Sequence, residues 1–135
     1  MGIKLQDDDN CFVCGKNNTS GLKLSFNRTE CAAKTEFIPS KYFQGYSGIV
    51  HGGIISAVLD EAMIHASMSE GSTPVTAEIK VRFKNPLNVA EKTMVAASVK
   101  KRSGKLIEAS AEMRRQSDYV LIAEASAKLI VVVKT

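Results

Sequence analysis

From residue 54 to residue 68, apolar side chains at 100° per residue occupy nearly the full circle, among them Ile54, Ile55, Val58, Leu59, Met63 and Ile64. The spacing predicts a helix wrapped by protein on most of its sides. Residues 76–84 alternate instead: Ala77, Ile79, Val81 and Phe83 share one face, and Thr76, Glu78, Lys80, Arg82 and Lys84 the other. That is the pattern of a half-buried strand, ended by Asn85-Pro86. Residues 93–101, 106–115 and 120–133 read as three more strands, joined at Ser103-Gly104 and near Ser117-Asp118, and consecutive hairpins imply antiparallel pairing. Upstream, residues 21–26 alternate, Asn27-Arg28-Thr29-Glu30 turns the chain, and residues 31–37 return, a hairpin closed by Pro39. Residues 42–48 form an aromatic, glycine-bearing loop that leads to His51, and Gly71-Ser72-Thr73-Pro74 breaks the pattern after the helix. The order is two strands, one long helix and four strands. It predicts an α+β fold in which a curved antiparallel sheet wraps one central helix.

The helix opens on His51-Gly52-Gly53. Two glycines at a helix start let another chain approach the free backbone N–H groups, which carry partial positive charge and can hold an oxyanion. Inside the apolar run stands Asp60, in one narrow stripe with Ser56 and Ser67. Donors paired with a carboxylate suggest acyl chemistry; the structural alternative is a buried acid satisfied by neighbouring hydroxyls and backbone donors. Glu61 points elsewhere and meets His65 one turn on, which reads as a helix-surface or subunit-contact pair.

Composition narrows the classes. A chain of 135 residues fits one domain, residues 1–135, and no apolar run approaches the length of a membrane span. The N-terminus is acidic after a short start and lacks a signal-peptide apolar region, so a cytoplasmic location is expected, and Gln6 stands where a myristoylation signal wants Ser or Thr. The net charge of +4 is concentrated in Lys100-Lys101-Arg102, Lys105 and Arg114-Arg115, a patch suited to phosphates or to a solvated sheet edge. With 6% aromatic residues, no Trp and no binding motif, nucleic acid is not an expected partner. Cys11, Cys14 and Cys31 are an odd count, expected to be reduced. Cys11-Phe12-Val13-Cys14-Gly15 has the spacing of half a zinc knuckle, but a closed site needs four ligands and the second pair is missing. Cys31 and one of the two histidines are the residues left to complete it; the segment reads as a small apolar anchoring turn, with no metal or cofactor expected.

The element order, His51-Gly52-Gly53 at the helix start, the acid nine residues after the His, and a strand over residues 76–83 followed by Asn85-Pro86 resemble the hot dog fold thioesterases. The likeness is to the branch with phenylacetyl-CoA and 4-hydroxybenzoyl-CoA thioesterases, and it covers nearly the whole chain; residues 11–24 look like the N-terminal extension of a subset. The resemblance implies an acyl-CoA thioesterase in which Asp60 activates water or attacks the thioester carbonyl, Gly53 gives its N–H to the oxyanion, His51 orients the thioester or its loop, and Thr76 positions water. Relatives often carry Asn six residues before the His, where this chain has Gly45; Gln44 is the adjacent polar residue. Gln44 and Gly52 are expected to contact substrate, and Lys100, Lys101 and Arg102 to hold the CoA phosphates. The resemblance also implies a homo-oligomer, a dimer or a dimer of dimers, with the Asp and the oxyanion donors on different subunits. The reading from another class is a non-catalytic acyl-CoA binding or regulatory module on the same fold.

Overall fold

The computed structural model describes residues 5–68 and 72–133; the expectations placed on residues 1–4 and on Gly71 lie outside them. The elements are β1 (Asn27–Thr29), β2 (Ala32–Phe37), a 3-10 turn (Lys41–Phe43), α1 (Gly52–Ser67), β3 (Ser72–Phe83), β4 (Thr93–Ser103), β5 (Leu106–Arg115) and β6 (Leu121–Val133). The strands form one sheet in the order β1-β2-β4-β5-β6-β3, every pair antiparallel. This is the hot dog arrangement, with α1 packed against one face of the sheet. No helix among the described residues is long and apolar enough to cross a membrane.

Alternation along the strands builds the core. Phe37, Val95, Ile107, Met113 and Leu129 meet Val58, Leu59, Ala62 and Met63 of α1 in one buried cluster. Ala97, Ala109, Ala111, Ala125 and Ala127 fill the same sheet face with small side chains, which leaves room for the helix between the larger residues. Removing one large member, as in Leu59→Ala, costs about 2–5 kcal/mol.

Three expectations change. The first strand is not residues 21–26: Leu22 and Leu24 donate backbone N–H bonds to Phe12 and Val13 carbonyls at 2.8 and 2.9 Å, tying that segment to the cysteine turn. Pairing with β2 falls instead on Asn27–Thr29, and the tight turn is at Glu30-Cys31, where Cys31 takes φ 62°. Strand β3 is not half-buried. It is the sheet's edge, with Val75, Ile79 and Phe83 exposed at 41%, 38% and 54%. Its strict alternation is also broken, because the register slips between Thr76, opposite Leu129, and Glu78, opposite Lys128. The bulge turns Thr76 to the helix side with Ile79 and Val81, and leaves Lys80 and Arg82 on the outer face.

Candidate active site

Helix α1 begins two residues before its apolar run because His51 caps it. The His51 backbone is extended, φ −64° and ψ 133°, and its Nδ1 accepts the Gly53 N–H at 2.8 Å. An accepting Nδ1 places the proton of the neutral imidazole on Nε2, on an exposed ring. The Gly53 N–H is thereby engaged, whereas the Gly52 N–H donates to no described residue. Both glycines are closely covered: a Cβ at Gly52 would stand 3.3 Å from the Phe83 ring, and one at Gly53 3.0 Å from His51 Nδ1. The free donor at the helix start is therefore Gly52, one residue before the glycine that the resemblance assigned.

Two turns on, Asp60 is half-buried and its Oδ1 accepts the Thr76 hydroxyl at 2.6 Å. The other hydroxyls of its stripe serve the helix itself, Ser56 bonding the Gly52 carbonyl and Ser67 the Met63 carbonyl. Asp60's partner thus comes from β3, brought round by the bulge. Burial pushes the Asp60 carboxyl above the ordinary 3.8; the Thr76 bond pulls it part of the way back and the Glu61 charge adds to the rise. The Thr76 hydroxyl occupies one carboxylate oxygen, and the other accepts no bond from a described residue.

Gln44 lies in the loop before the helix, bridged to Val50, and its side-chain oxygen accepts the Gly48 N–H at 3.0 Å. That commits the oxygen to the loop rather than to a ligand. Gly45 lies against the His51 ring, where a Cβ would stand in ordinary van der Waals contact at 3.4 Å.

Lys100, Lys101 and Arg102 are exposed at the end of β4. A register slip between Val99 and Lys101 breaks the alternation that would have sent the two lysines to opposite faces. Both line one cleft of about 400 Å³ with Lys80, Lys128, Glu78 and Glu108. Lys100 also reaches a larger hollow of about 610 Å³ on the outer sheet face, beside Lys34, Lys80 and Arg82. These clefts lie across the sheet from the Asp60–Thr76 pair. Arg114 and Arg115 are spent on Glu112, Glu91 and Asp118.

Glu61 and His65 do not form an open surface pair. The Cys11 and Cys14 thiols both donate to Glu61 Oε2, at 3.0 and 2.9 Å, and the His65 ring stacks on Phe26. Burial pushes His65 below its ordinary value, against the pull of Glu61, and burial together with Glu61 pushes the Cys14 thiol up. Sequence spacing paired Glu61 with His65 but carried no signal that the cysteine turn folds over both. Cys31, at the exposed hairpin tip, is not part of this cluster.

A single helix opened by the free Gly52 N–H, carrying a hydroxyl-bound acid and packed on one antiparallel sheet, is the hot dog architecture with its candidate site. The chain belongs to the thioesterase superfamily, whose family model matches residues 47–122. Among curated proteins it is similar to the acyl-coenzyme A thioesterase THEM4 of Xenopus laevis, 28% identical over 107 residues, 79% of this chain and 48% of that protein. The chain spans about half the length of the curated relatives of this name. Among solved structures it is similar to the E. coli PaaI protein from the phenylacetic acid degradation operon, with TM-score 0.78 and 18% identity over 84% of this chain and 83% of that one. A Streptococcus mutans protein bound to acetyl CoA has TM-score 0.76 and 15% identity over 82% and 90%.

Proposed function

We propose that the chain hydrolyses acyl-CoA thioesters as a homo-oligomer, with Asp60 of one copy and the helix start of another acting on the same carbonyl. The observation that carries this reading is the Asp60 carboxylate, placed in an otherwise apolar helix and held by Thr76 at 2.6 Å. Membership of the thioesterase superfamily, the relatives named acyl-coenzyme A thioesterases and the acetyl-CoA-bound neighbour supply the substrate class.

Asp60 either takes a proton from the attacking water or itself attacks the thioester carbon, giving a mixed anhydride that water then opens. In both cases the carbonyl oxygen becomes an oxyanion that accepts the Gly52 N–H, joined by Gly53 when its N–H leaves His51. The carbon–sulfur bond breaks and CoA leaves as its thiolate, which takes the proton held by Asp60 in the first route and one from solvent in the second. Thr76 orients the carboxylate, and the His51 Nε2–H together with the Gln44 amide lines the approach. Lys100 and Lys101, across the sheet from Asp60 of their own copy, together with Arg102 hold the phosphates of a CoA bound at another copy's site.

The need for a second copy follows from helix geometry. Gly52 and Asp60 are eight residues apart, about 12 Å along the axis, whereas one reacting carbonyl needs each group within about 3 Å. The exposed apolar edge of β3 supports the same conclusion, because a long unpaired edge invites a partner strand.

The test is free-thiol release from short, medium and aromatic acyl-CoA esters. Wild type is expected to turn over at least one of them, and Asp60→Asn to lose at least about a hundredfold while still binding it. Tight acyl-CoA binding with no turnover of any ester by wild type would replace the enzyme by a binding module. Near-normal turnover in Asp60→Asn would remove Asp60 from the mechanism.

A further inference from the structure

We propose that Cys11, Cys14, Glu61 and His65 bind a divalent, thiolate-preferring metal ion, Zn²⁺ foremost, which fastens the N-terminal segment to α1. Two thiols from a Cys-x-x-Cys turn converge on one carboxylate oxygen at 3.0 and 2.9 Å, and His65 Nε2 stands 3.8 Å from the same oxygen. The Cys11, Cys14 and Glu61 ligand atoms all lie within 4.8 Å of one another. Around tetrahedral zinc, with bonds of about 2.3 Å to sulfur and 2.0–2.1 Å to nitrogen or oxygen, adjacent ligand atoms stand about 3.3–3.8 Å apart. The two thiol separations from Glu61 Oε2 fall short of that range and the His65 separation lies at its upper end; His65 stands outside the group of atoms within 4.8 Å of one another, so its ring must close on the sulfurs by about 1 Å or more for the ion to take all four ligands.

His65 supplies the independent observation. Both its ring nitrogens are buried and neither has a hydrogen-bond partner among the described residues. A neutral imidazole buried this way forfeits a donor and an acceptor, a cost that native structures rarely leave unexplained. Stacking on Phe26, at 4.3 Å between ring centres, holds the ring in place, and a metal on Nε2 would give that nitrogen its partner.

The backbone presets the two sulfurs. Gly15 closes the turn by donating to the Cys11 carbonyl at 2.9 Å, and a Cβ at Gly15 would overlap the backbone of Asn10 and Cys11. Thiolates select zinc over magnesium or calcium, and four protein ligands leave no open position, so the ion is structural. Binding releases the two thiol protons to solvent. What the sequence lacked was the second half of the knuckle; the fold supplies it from one face of the helix, with Glu61 and His65 one turn apart.

The experiment uses the full chain, purified without chelator and also stripped and reloaded with Zn²⁺ or Co²⁺. Plasma emission is expected to find about one Zn²⁺ per chain, with Mg²⁺ not retained. The Co²⁺ form should show a thiolate-to-cobalt charge-transfer band and the intense visible bands of tetrahedral cobalt. Cys14→Ser and Glu61→Gln should each weaken Zn²⁺ binding by at least about a hundredfold, more than the loss of an outer-shell partner. The wild-type cobalt spectrum decides the matter if a variant fails to fold. Substoichiometric zinc, a cobalt spectrum without the charge-transfer band, binding retained in the Cys11→Ser, Cys14→Ser double variant, or a Cys11–Cys14 disulfide in the isolated chain would each overturn the proposal. None of these readouts depends on thioester hydrolysis, so the site stands or falls separately from the activity.

Discussion

At Asp60, burial and a single hydroxyl act in opposite directions, and the balance has measurable consequences. Because burial raises the folded value above the ordinary 3.8, the native state holds this proton more tightly than the unfolded chain does. Its contribution to stability is therefore fully present below 3.8 and is lost as pH rises through the folded value. Asp60→Asn, which keeps an oxygen for Thr76 without the charge, is expected to melt at or above the wild-type temperature at pH 7, the difference narrowing in acid; a clear fall in Tm at pH 7 would contradict this. Hydrolysis needs the carboxylate, so activity should fall as pH drops through a value above 3.8. Thr76→Val removes the bond that favours the charged form and should move this acid limb toward neutrality. An unmoved limb in the pH profile of kcat/KM would leave the hydroxyl without that role. The position of Asp60 in an apolar run was legible in the sequence, but Thr76 was not legible from its pattern. Strict alternation set it among Glu78, Lys80 and Arg82, and only the resemblance gave it a task. The bulge that reverses it carries neither Gly nor Pro, so no residue marks it. The choice between Gly52 and Gly53 likewise depends on where the His51 ring turns, which spacing does not encode.

At the scale of elements, two bulges decide what the strands present. In β3 the slip after Thr76 delivers a hydroxyl to α1, and in β4 the slip before Lys101 brings Lys100 and Lys101 to one cleft. Neutralising both, as in Lys100→Ala with Lys101→Ala, is expected to raise KM for acyl-CoA several-fold and leave kcat nearly unchanged, because phosphate contacts are the same in ground and transition states. A short thioester without the nucleotide should not register the change. Equal losses on both substrates would assign the lysines to folding or assembly instead. The helix, the strands β4 to β6 and their hairpins were readable because periodicity persists over ten residues or more and Gly104 marks a turn. The first hairpin was not, because residues 21–26 alternate like a strand while their backbone bonds go to the cysteine turn. That pairing is long-range, and local pattern is silent on it.

For the whole molecule, the exposed edge of β3 and the roughly 12 Å between Gly52 and Asp60 point to the same assembly. Ile79→Lys, on that edge, is expected to shift the protein in light scattering toward a 14.6 kDa monomer, with its circular dichroism kept and its hydrolysis lost. An active monomer would contradict the shared site. The most direct measurement mixes two inactive forms. Gly52→Pro removes the N–H at the first helical position, where Pro is tolerated and where the extended His51 backbone already suits a following proline, and the Cβ it adds meets only the exposed Phe83 ring, 3.3 Å away, which must give by a few tenths of an ångström. Differently tagged Asp60→Asn and Gly52→Pro chains are co-expressed, the mixed oligomers are isolated through both tags, and thiol release is measured. If Asp60 of one copy works with the helix start of another, each mixed pair holds one intact site, and activity should return to about half of wild type. Mixed oligomers as inactive as either parent would contradict the shared site.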